Sequence, residues 1–131
     1  MSANKQINNS DWESLETVLA SFPAIIAAWV FGSAQNSIIR PTADVDIGVL
    51  WQKKPSLDDL LSLRMCIQDA LHHDRIDLIT LNGASVILRF EVISGRAIYC
   101  QDAGERAIFA SLTAREYEDE MAMVQASLFA V

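Results

Sequence analysis

The chain has few cysteines, no long apolar run and no apolar leader, and each shortage excludes a class of protein. Its two cysteines, Cys66 and Cys100, form neither a redox motif nor a zinc-site spacing, so we expect buried free thiols. No apolar run approaches the roughly 20 residues that span a bilayer. The polar stretch 1–10 lacks the apolar centre of a signal peptide. We therefore expect a cytoplasmic protein with no membrane contact.

Basic residues are also scarce, which bears on the partners of the protein. The 131-residue chain has 10 Lys and Arg residues against 17 Asp and Glu residues, a formal net charge of −7. A nucleic-acid surface needs a basic patch, so we expect no stable nucleic-acid binding. An acidic protein suits a basic protein partner. A cluster in the last predicted helix is either a solvated face or a docking surface for such a partner: Glu116, Glu118, Asp119 and Glu120.

Helical and strand patterns alternate along the chain. A capping box at Ser10 and Glu13 predicts the start of the first helix. The apolar run Ala24–Phe31 predicts a central strand covered on both faces. The remaining elements predicted are a strand 45–51, a helix 56–72, a strand 76–81, a helix 86–93, a strand 97–100 and a helix of about 102–129. The order α-β-β-α-β-α-β-α predicts one α/β (α+β) domain over residues 1–131, a small mixed sheet with helices mainly on one face.

Two carboxylates stand one residue apart at the start of the second predicted strand, in Asp44-Val45-Asp46. Side chains at positions i and i+2 of a strand point to the same face. Two carboxylates there repel each other and are costly to desolvate, so the pair needs a cation to balance it. Mg²⁺ suits such hard oxygen ligands and binds one or two carboxylates together with substrate phosphates. The alternative is a pair of solvated acids at an exposed strand end.

A Gly-Ser pair, Gly32-Ser33, directly follows the first strand, and ten residues separate Ser33 from Asp44. Glycine permits a close approach of the backbone to phosphate. The backbone N–H groups and the Ser33 hydroxyl can bind the β- and γ-phosphate oxygens of a nucleotide. An ordinary strand-end turn is the alternative for Gly-Ser alone, and the spacing to the two acids favours the phosphate site.

The stretch from Phe31 to Leu50 resembles the signature of the polymerase-beta-type nucleotidyltransferase superfamily, and the short chain is similar to its minimal members, the MNT or MntA proteins. The likeness implies a polymerase-beta-like core over about residues 12–100. It also implies that Asp77 is the third carboxylate, because Asp77 matches the family's place on the strand after the helix. Asp44, Asp46 and Asp77 would then be catalytic residues that hold two Mg²⁺ ions, with Asp77 also a candidate for the general base. The alternative is that Asp77 is an edge-strand acid paired with Arg75.

The connector after Gly-Ser departs from the family pattern. Many members have Ala-Arg-Gly there, whereas this chain has Gln35-Asn36-Ser37. Arg40 matches an arginine that occurs further along the family pattern. It could supply the nucleotide with the positive charge that the missing arginine of the connector would give. A solvated loop arginine is the alternative for Arg40.

Members of this group are commonly antitoxins paired with HEPN-domain ribonuclease toxins, and some transfer AMP to a tyrosine of the toxin. The resemblance therefore implies a Mg-dependent protein adenylyltransferase that uses ATP and inactivates a cognate HEPN toxin. Two alternatives stay open: an antitoxin that acts by binding alone, and a small-molecule nucleotidyltransferase. The sequence leaves open the acceptor residue, the number of AMP units and the stoichiometry of the complex.

Overall fold

Four helices and a four-stranded mixed sheet form the core in the computed structural model, which describes residues 4–129. The predicted order of helices and strands is confirmed, and two short strands are added to it. In chain order the elements are β1 Lys5–Gln6, α1 Asn9–Ala20, β2 Ile25–Phe31, β3 Ile38–Ile39, β4 Val45–Trp51, α2 Leu57–Leu71, β5 Ile76–Thr80, α3 Val86–Ile93, β6 Arg96–Cys100 and α4 Ala103–Phe129. A 3₁₀ helix, Gly32–Asn36, follows β2.

The main sheet has the strand order β5-β4-β2-β6. Strand β2 runs antiparallel to both β4 and β6, whereas β4 and β5 are parallel, so the predicted mixed sheet is confirmed. The register pairs Phe31 with Asp46 and Asp46 with Asp77. The end of β2 and the starts of β4 and β5 therefore meet at one edge of the sheet.

The helices lie on both faces of the sheet, which corrects the expectation that they pack mainly on one. Helices α1 and α2 cover one face, and α3 and α4 contact the other. The physical reason lies in β2, because all seven of its residues are buried and both of its faces need a cover. Helix α3 packs against β2 and also reaches β4 at Gly48, where a Cβ atom would come within 2.3 Å of Val92 Cγ1.

Helix α2 starts at the predicted capping box, in which the Ser56 hydroxyl accepts from the Asp59 N–H and the Asp59 carboxylate accepts from the Ser56 N–H. Helix α1 starts earlier than predicted. Asn8, not Ser10, is its N-cap, because Asn8 has an extended backbone and its side chain accepts from the Asp11 N–H.

Cys66 is exposed, which corrects the expectation of a buried thiol. Within residues 4–129, no helix is both long and apolar enough to cross a membrane.

Candidate active site

The three predicted acids gather at the edge of the sheet where β4 and β5 begin. Asp46 and Asp77 are neighbours in the parallel register. Leu50, four residues further along β4, and Leu81, which directly follows β5, belong to the same apolar cluster as Val92 of α3. Since side chains alternate along a strand, Asp46 and Asp77 lie on the face that α3 covers.

Asp46 is partly buried and has other carboxylates close to it. Partial burial raises the pKa of the Asp46 carboxyl, and the nearby carboxylates of Asp77, Asp44 and Glu91 raise it further. Asp77 also makes a side-chain hydrogen bond with Asp46 that raises this pKa. A carboxyl whose pKa is raised by neighbouring carboxylates lies in a site that favours a cation, and hard oxygen donors are those that Mg²⁺ prefers.

The Gly-Ser turn lies directly against Asp46. Gly32 has a φ of +68°, and a Cβ atom at this position would come within 2.6 Å of Asp46 Oδ2. Only glycine meets both conditions, because other residues rarely adopt a positive φ and this space is already taken by the carboxylate. Ser33 follows in the 3₁₀ helix with an exposed side chain. The structure thus brings the predicted phosphate turn and the predicted acids together.

Asp44 makes an ion pair with Arg75, in which Asp44 Oδ1 lies 3.1 Å from Arg75 Nε. The alternative that pairs Arg75 with Asp77 is therefore not what the structure shows. Within residues 4–129, no three His, Cys, Asp or Glu side chains are arranged to hold a metal ion. Both partners of the ion pair are about half exposed, 48% for Asp44 and 56% for Arg75. Such a pair is worth only about 0–1 kcal/mol, so a divalent cation can compete for Asp44.

Arg40 is not brought to the acids. It is exposed in the loop between β3 and β4, and in the part of the chain that the structure describes its guanidinium makes no ion pair. Its assignment to the nucleotide stays a prediction.

Glu91 is a site residue that the sequence reasoning missed. It lies on α3, acts on the pKa of Asp46 and lines a cleft of about 420 Å³ that also reaches Gly32 and Tyr117. In the sequence Glu91 is an ordinary polar position of an amphipathic helix. No sequence signal marks Glu91, because its position depends on the packing of its neighbour Val92 against Gly48 of β4.

The sequence predicts only that His72 and His73 lie at the end of a helix, and the structure confirms that His72 is the C-cap of α2, with a φ of +51°. His73 does more, because its ring atom Nε2 lies 2.9 Å from the Ala43 carbonyl oxygen and donates to it. This contact holds the loop that leads to Asp44.

The family model described as "Polymerase beta, Nucleotidyltransferase" matches residues 13–104 of the chain. A comparison with curated protein sequences gives no match. This family match covers the phosphate turn and all three acids.

Solved structures share the fold over most of the chain. A chain of the complex between the tri-AMPylated Shewanella oneidensis HEPN toxin and the MNT antitoxin is 23% identical, with a TM-score of 0.68 over 90% of this chain and 92% of that chain. A chain of a toxin–antitoxin structure with AMP-PNP is 24% identical, with a TM-score of 0.73 over 89% and 94%. A chain of the toxin–antitoxin structure MntA–HepT is 22% identical, with a TM-score of 0.70 over 92% and 96%. These likenesses confirm the fold class predicted from the sequence.

Proposed function

The chain belongs to the polymerase beta nucleotidyltransferase family, and we propose that it is a Mg-dependent protein adenylyltransferase. In this proposal it transfers AMP from ATP to a tyrosine hydroxyl of a cognate HEPN ribonuclease toxin, and so acts as the antitoxin. One observation carries the proposal: the Gly32 turn lies against Asp46, which is the strand neighbour of Asp77. A phosphate-binding turn beside paired acids is the arrangement that nucleotidyl transfer needs.

The solved complexes support the choice of partner and nucleotide. One structure of similar fold contains a tri-AMPylated HEPN toxin with its MNT antitoxin, and another toxin–antitoxin structure contains AMP-PNP. We therefore include repeated AMP transfer in the proposal. A cytoplasmic location and a single domain over residues 1–131 stay part of it, and the family match over 13–104 supports a core close to 12–100.

The reaction assigns a role to each acid. The acceptor oxygen attacks the α-phosphorus of ATP, the bond from that phosphorus to the β-phosphate oxygen breaks, and pyrophosphate leaves. Asp77 takes the proton of the attacking hydroxyl. Asp44, Asp46 and Asp77 would hold two Mg²⁺ ions, with Asp44 released from Arg75. When bound, these ions neutralise the charge of the triphosphate and activate the acceptor oxygen.

The residues of the turn and its loop hold the nucleotide in this proposal. The Gly32 backbone and the Ser33 hydroxyl bind the β- and γ-phosphates, for which their place beside Asp46 is suited. Arg40 supplies the positive charge that an arginine in the connector provides in many members of the family and that this connector lacks. Positioning and charge neutralisation then provide most of the rate enhancement.

The test is the intact mass of the HEPN toxin after incubation with this protein, ATP and Mg²⁺. We expect mass gains in AMP steps with the wild type and none with Asp44→Ala/Asp46→Ala. Glu16→Ala/Asp69→Ala removes two exposed acids from the opposite side of the sheet and should leave transfer intact. Transfer at the wild-type rate by the Asp44→Ala/Asp46→Ala protein would refute the assignment of the acids.

A second candidate is an antitoxin that acts by binding alone. The observation that favours it is the connector Gln35-Asn36-Ser37, which lacks the family's arginine, together with the exposed and unpaired Arg40 within residues 4–129. Its expected result is a stable complex and an inhibited ribonuclease with no mass gain. The Asp44→Ala/Asp46→Ala protein would then inhibit the toxin as well as the wild type does.

A further inference from the structure

Arg96, the first residue of β6, contacts two other parts of the chain. Its guanidinium carbon lies 4.0 Å from the centre of the Trp12 ring, and its Nη1 donates to the Ser37 hydroxyl at 3.1 Å. Trp12 belongs to α1, and Ser37 is the C-cap of the 3₁₀ helix that begins at Gly32. We call the contacts of Arg96 with Trp12 and Ser37 the arginine clamp.

The arginine clamp adjoins the turn that we assign to the phosphates. Strand β6 begins beside the end of β2, because Arg96 pairs with Val30 and Gly95 packs against Phe31, the residue before Gly32. Val30 belongs to the apolar cluster that α1 covers, and Arg96 lies on that face with Trp12. Arg96 is therefore on the face opposite the acids, and it can affect them only through the connector that leads back to Gly32.

Ser37 has a backbone conformation that needs support. Its φ is +68°, and within residues 4–129 the only other non-glycine residue with a positive φ is His72. A residue with a Cβ atom pays a free-energy cost in this region, whereas glycine does not. Glycine, however, has no hydroxyl for Arg96 to bind. The Ser37 N–H donates to the Ala34 carbonyl and its own carbonyl accepts from the Ile7 N–H, so the end of the connector depends on this conformation.

The connector has few other contacts that fix it. Its 3₁₀ helix has only five residues, and Ala34 is the one buried side chain among them. The hydrogen bonds of a 3₁₀ helix have poorer geometry than those of an α-helix. A planar guanidinium can stack on an indole with its face while an edge N–H donates to a hydroxyl, which a lysine ammonium cannot do. The arginine clamp is thus suited to hold one conformation of the connector.

We propose that Arg96 is a positioning residue that holds the phosphate turn in its nucleotide-binding conformation. This inference rests on the proposed function and concerns the binding of ATP, not the chemical step. The effect passes from the Ser37 hydroxyl along the 3₁₀ helix to Gly32 and Ser33. If the clamp is lost, ATP binds only the fraction of molecules in which the turn is formed, and its apparent affinity falls by that fraction.

The test is the initial rate of AMP transfer to the toxin at varied ATP concentration. Arg96→Gln removes both contacts of the clamp, and Ser37→Ala removes the hydroxyl while it keeps a Cβ atom at the positive φ. Arg96→Lys keeps the charge without the plane. Arg64→Gln, at an exposed position on α2, removes the same charge elsewhere and is the matched control.

We expect Arg96→Gln to raise the KM for ATP about tenfold, the loss expected of a charge-assisted hydrogen bond, with kcat within about twofold of the control. Ser37→Ala should raise KM to a similar extent, and the double variant should be no worse than either single one, because both remove the same contact. Arg96→Lys should resemble Arg96→Gln. An unchanged KM for Arg96→Gln, additive effects, or a lysine variant that behaves as the wild type would overturn the proposal.

Hydrogen exchange without nucleotide separates this inference from the proposed function. If the wild type leaves the toxin unmodified, the proposed function fails, and the amides of Ser37 and Ile7 still report on the connector, since both hydrogen-bond there. We expect these two amides to exchange about tenfold faster in Arg96→Gln than in Arg64→Gln, while the amides of β2 and β4 stay as protected as in the control. Equal exchange in the two proteins would show that Arg96 does not hold the connector.

Discussion

At the scale of the residue, Asp46 carries a charge that the folded chain does not favour. Burial and three neighbouring carboxylates raise its pKa, so the folded state binds this proton more tightly than the unfolded state does. The contribution of Asp46 to stability is therefore fully present at low pH and is lost as pH rises through the raised pKa. A functional site that costs stability is expected where catalysis needs concentrated charge.

Replacement of Asp46 by asparagine should separate stability from activity. Without metal, in EDTA at pH 7, we expect Asp46→Asn to raise Tm by roughly 2 °C or more while it abolishes AMP transfer. The gain should shrink below about pH 3, where the wild-type carboxyl is protonated in both states. Asp69→Asn, at an exposed position on α2, is the control and should leave Tm and transfer near the wild-type values. A lower Tm for Asp46→Asn at pH 7 would contradict the electrostatic argument.

Gly32 gives a second prediction, because the chain contains a matched glycine. Gly32 and Gly83 have φ values of +68° and +81°, so alanine at either should cost about 1–2 kcal/mol of backbone strain. Only at position 32 does the new Cβ meet Asp46 Oδ2, at 2.6 Å, whereas nothing lies within 4 Å of it at position 83. We expect Gly32→Ala to lose transfer by more than about tenfold and Gly83→Ala to keep it.

Urea unfolding and initial transfer rates of the two variants check this. Equal losses of activity in both would show that backbone strain, and not the contact with Asp46, decides the result.

The spacing of the Gly-Ser turn to Asp44 and Asp46 predicts these residues from the sequence, whereas only the resemblance to the family implied a role for Asp77. The structure places Gly32 against Asp46, as the spacing indicates, and pairs Asp46 with Asp77. Glu91 and His73 could not be found in this way. Their contacts depend on how α3 lies on β4 and how the end of α2 meets the loop at Ala43, which is tertiary packing that no local pattern records.

At the scale of the element, the helix and strand periods predict each of the long elements to within a few residues. The two-residue strands β1 and β3 were missed, since two residues carry no period. The division of the helices between two faces was also missed. The apolar run of β2 shows that both faces are covered, but it does not say which helix covers which face.

The fit of α3 on β4 depends on Gly48, and this gives a third prediction. A Cβ at Gly48 would come within 2.3 Å of Val92 Cγ1, so Gly48→Ala should destabilise the fold by about 1–3 kcal/mol through overpacking. Val92→Ala leaves a cavity when made alone, and in the double variant it removes the clash. We therefore expect the double variant to be more stable than the sum of the two single changes predicts.

Urea unfolding of the four proteins in this double-mutant cycle measures the coupling. Gly104→Ala is the control, because its Cβ meets only Asp102 Oδ1 at 3.4 Å and alanine favours a helix, so it should be neutral or stabilising. Additive effects of Gly48→Ala and Val92→Ala would show that α3 does not rest on this contact.

At the scale of the whole molecule, the charges are separated. Lys5 and Arg75 line a pocket at the end of α2, whereas α4 carries Glu116, Glu118, Asp119 and Glu120. The last turns of α4 also expose large apolar side chains, with Met123 72%, Leu128 75% and Phe129 80% exposed. An acidic stretch followed by exposed apolar residues is suited to a partner with basic and apolar groups.

The last prediction is that α4 docks the toxin of the proposed function. Reversal of Glu118 and Glu120 to lysine should raise the Kd of the complex at least about tenfold at low salt, because complementary charges become like charges. The control Glu16→Lys/Asp69→Lys makes the same change of net charge on α1 and α2, and it should bind as the wild type does. Screening should reduce the difference at 0.5 M salt, where charges interact over only about 4–5 Å. Equal weakening by both pairs would mean that net charge alone attracts the toxin and that α4 is only a solvated helix.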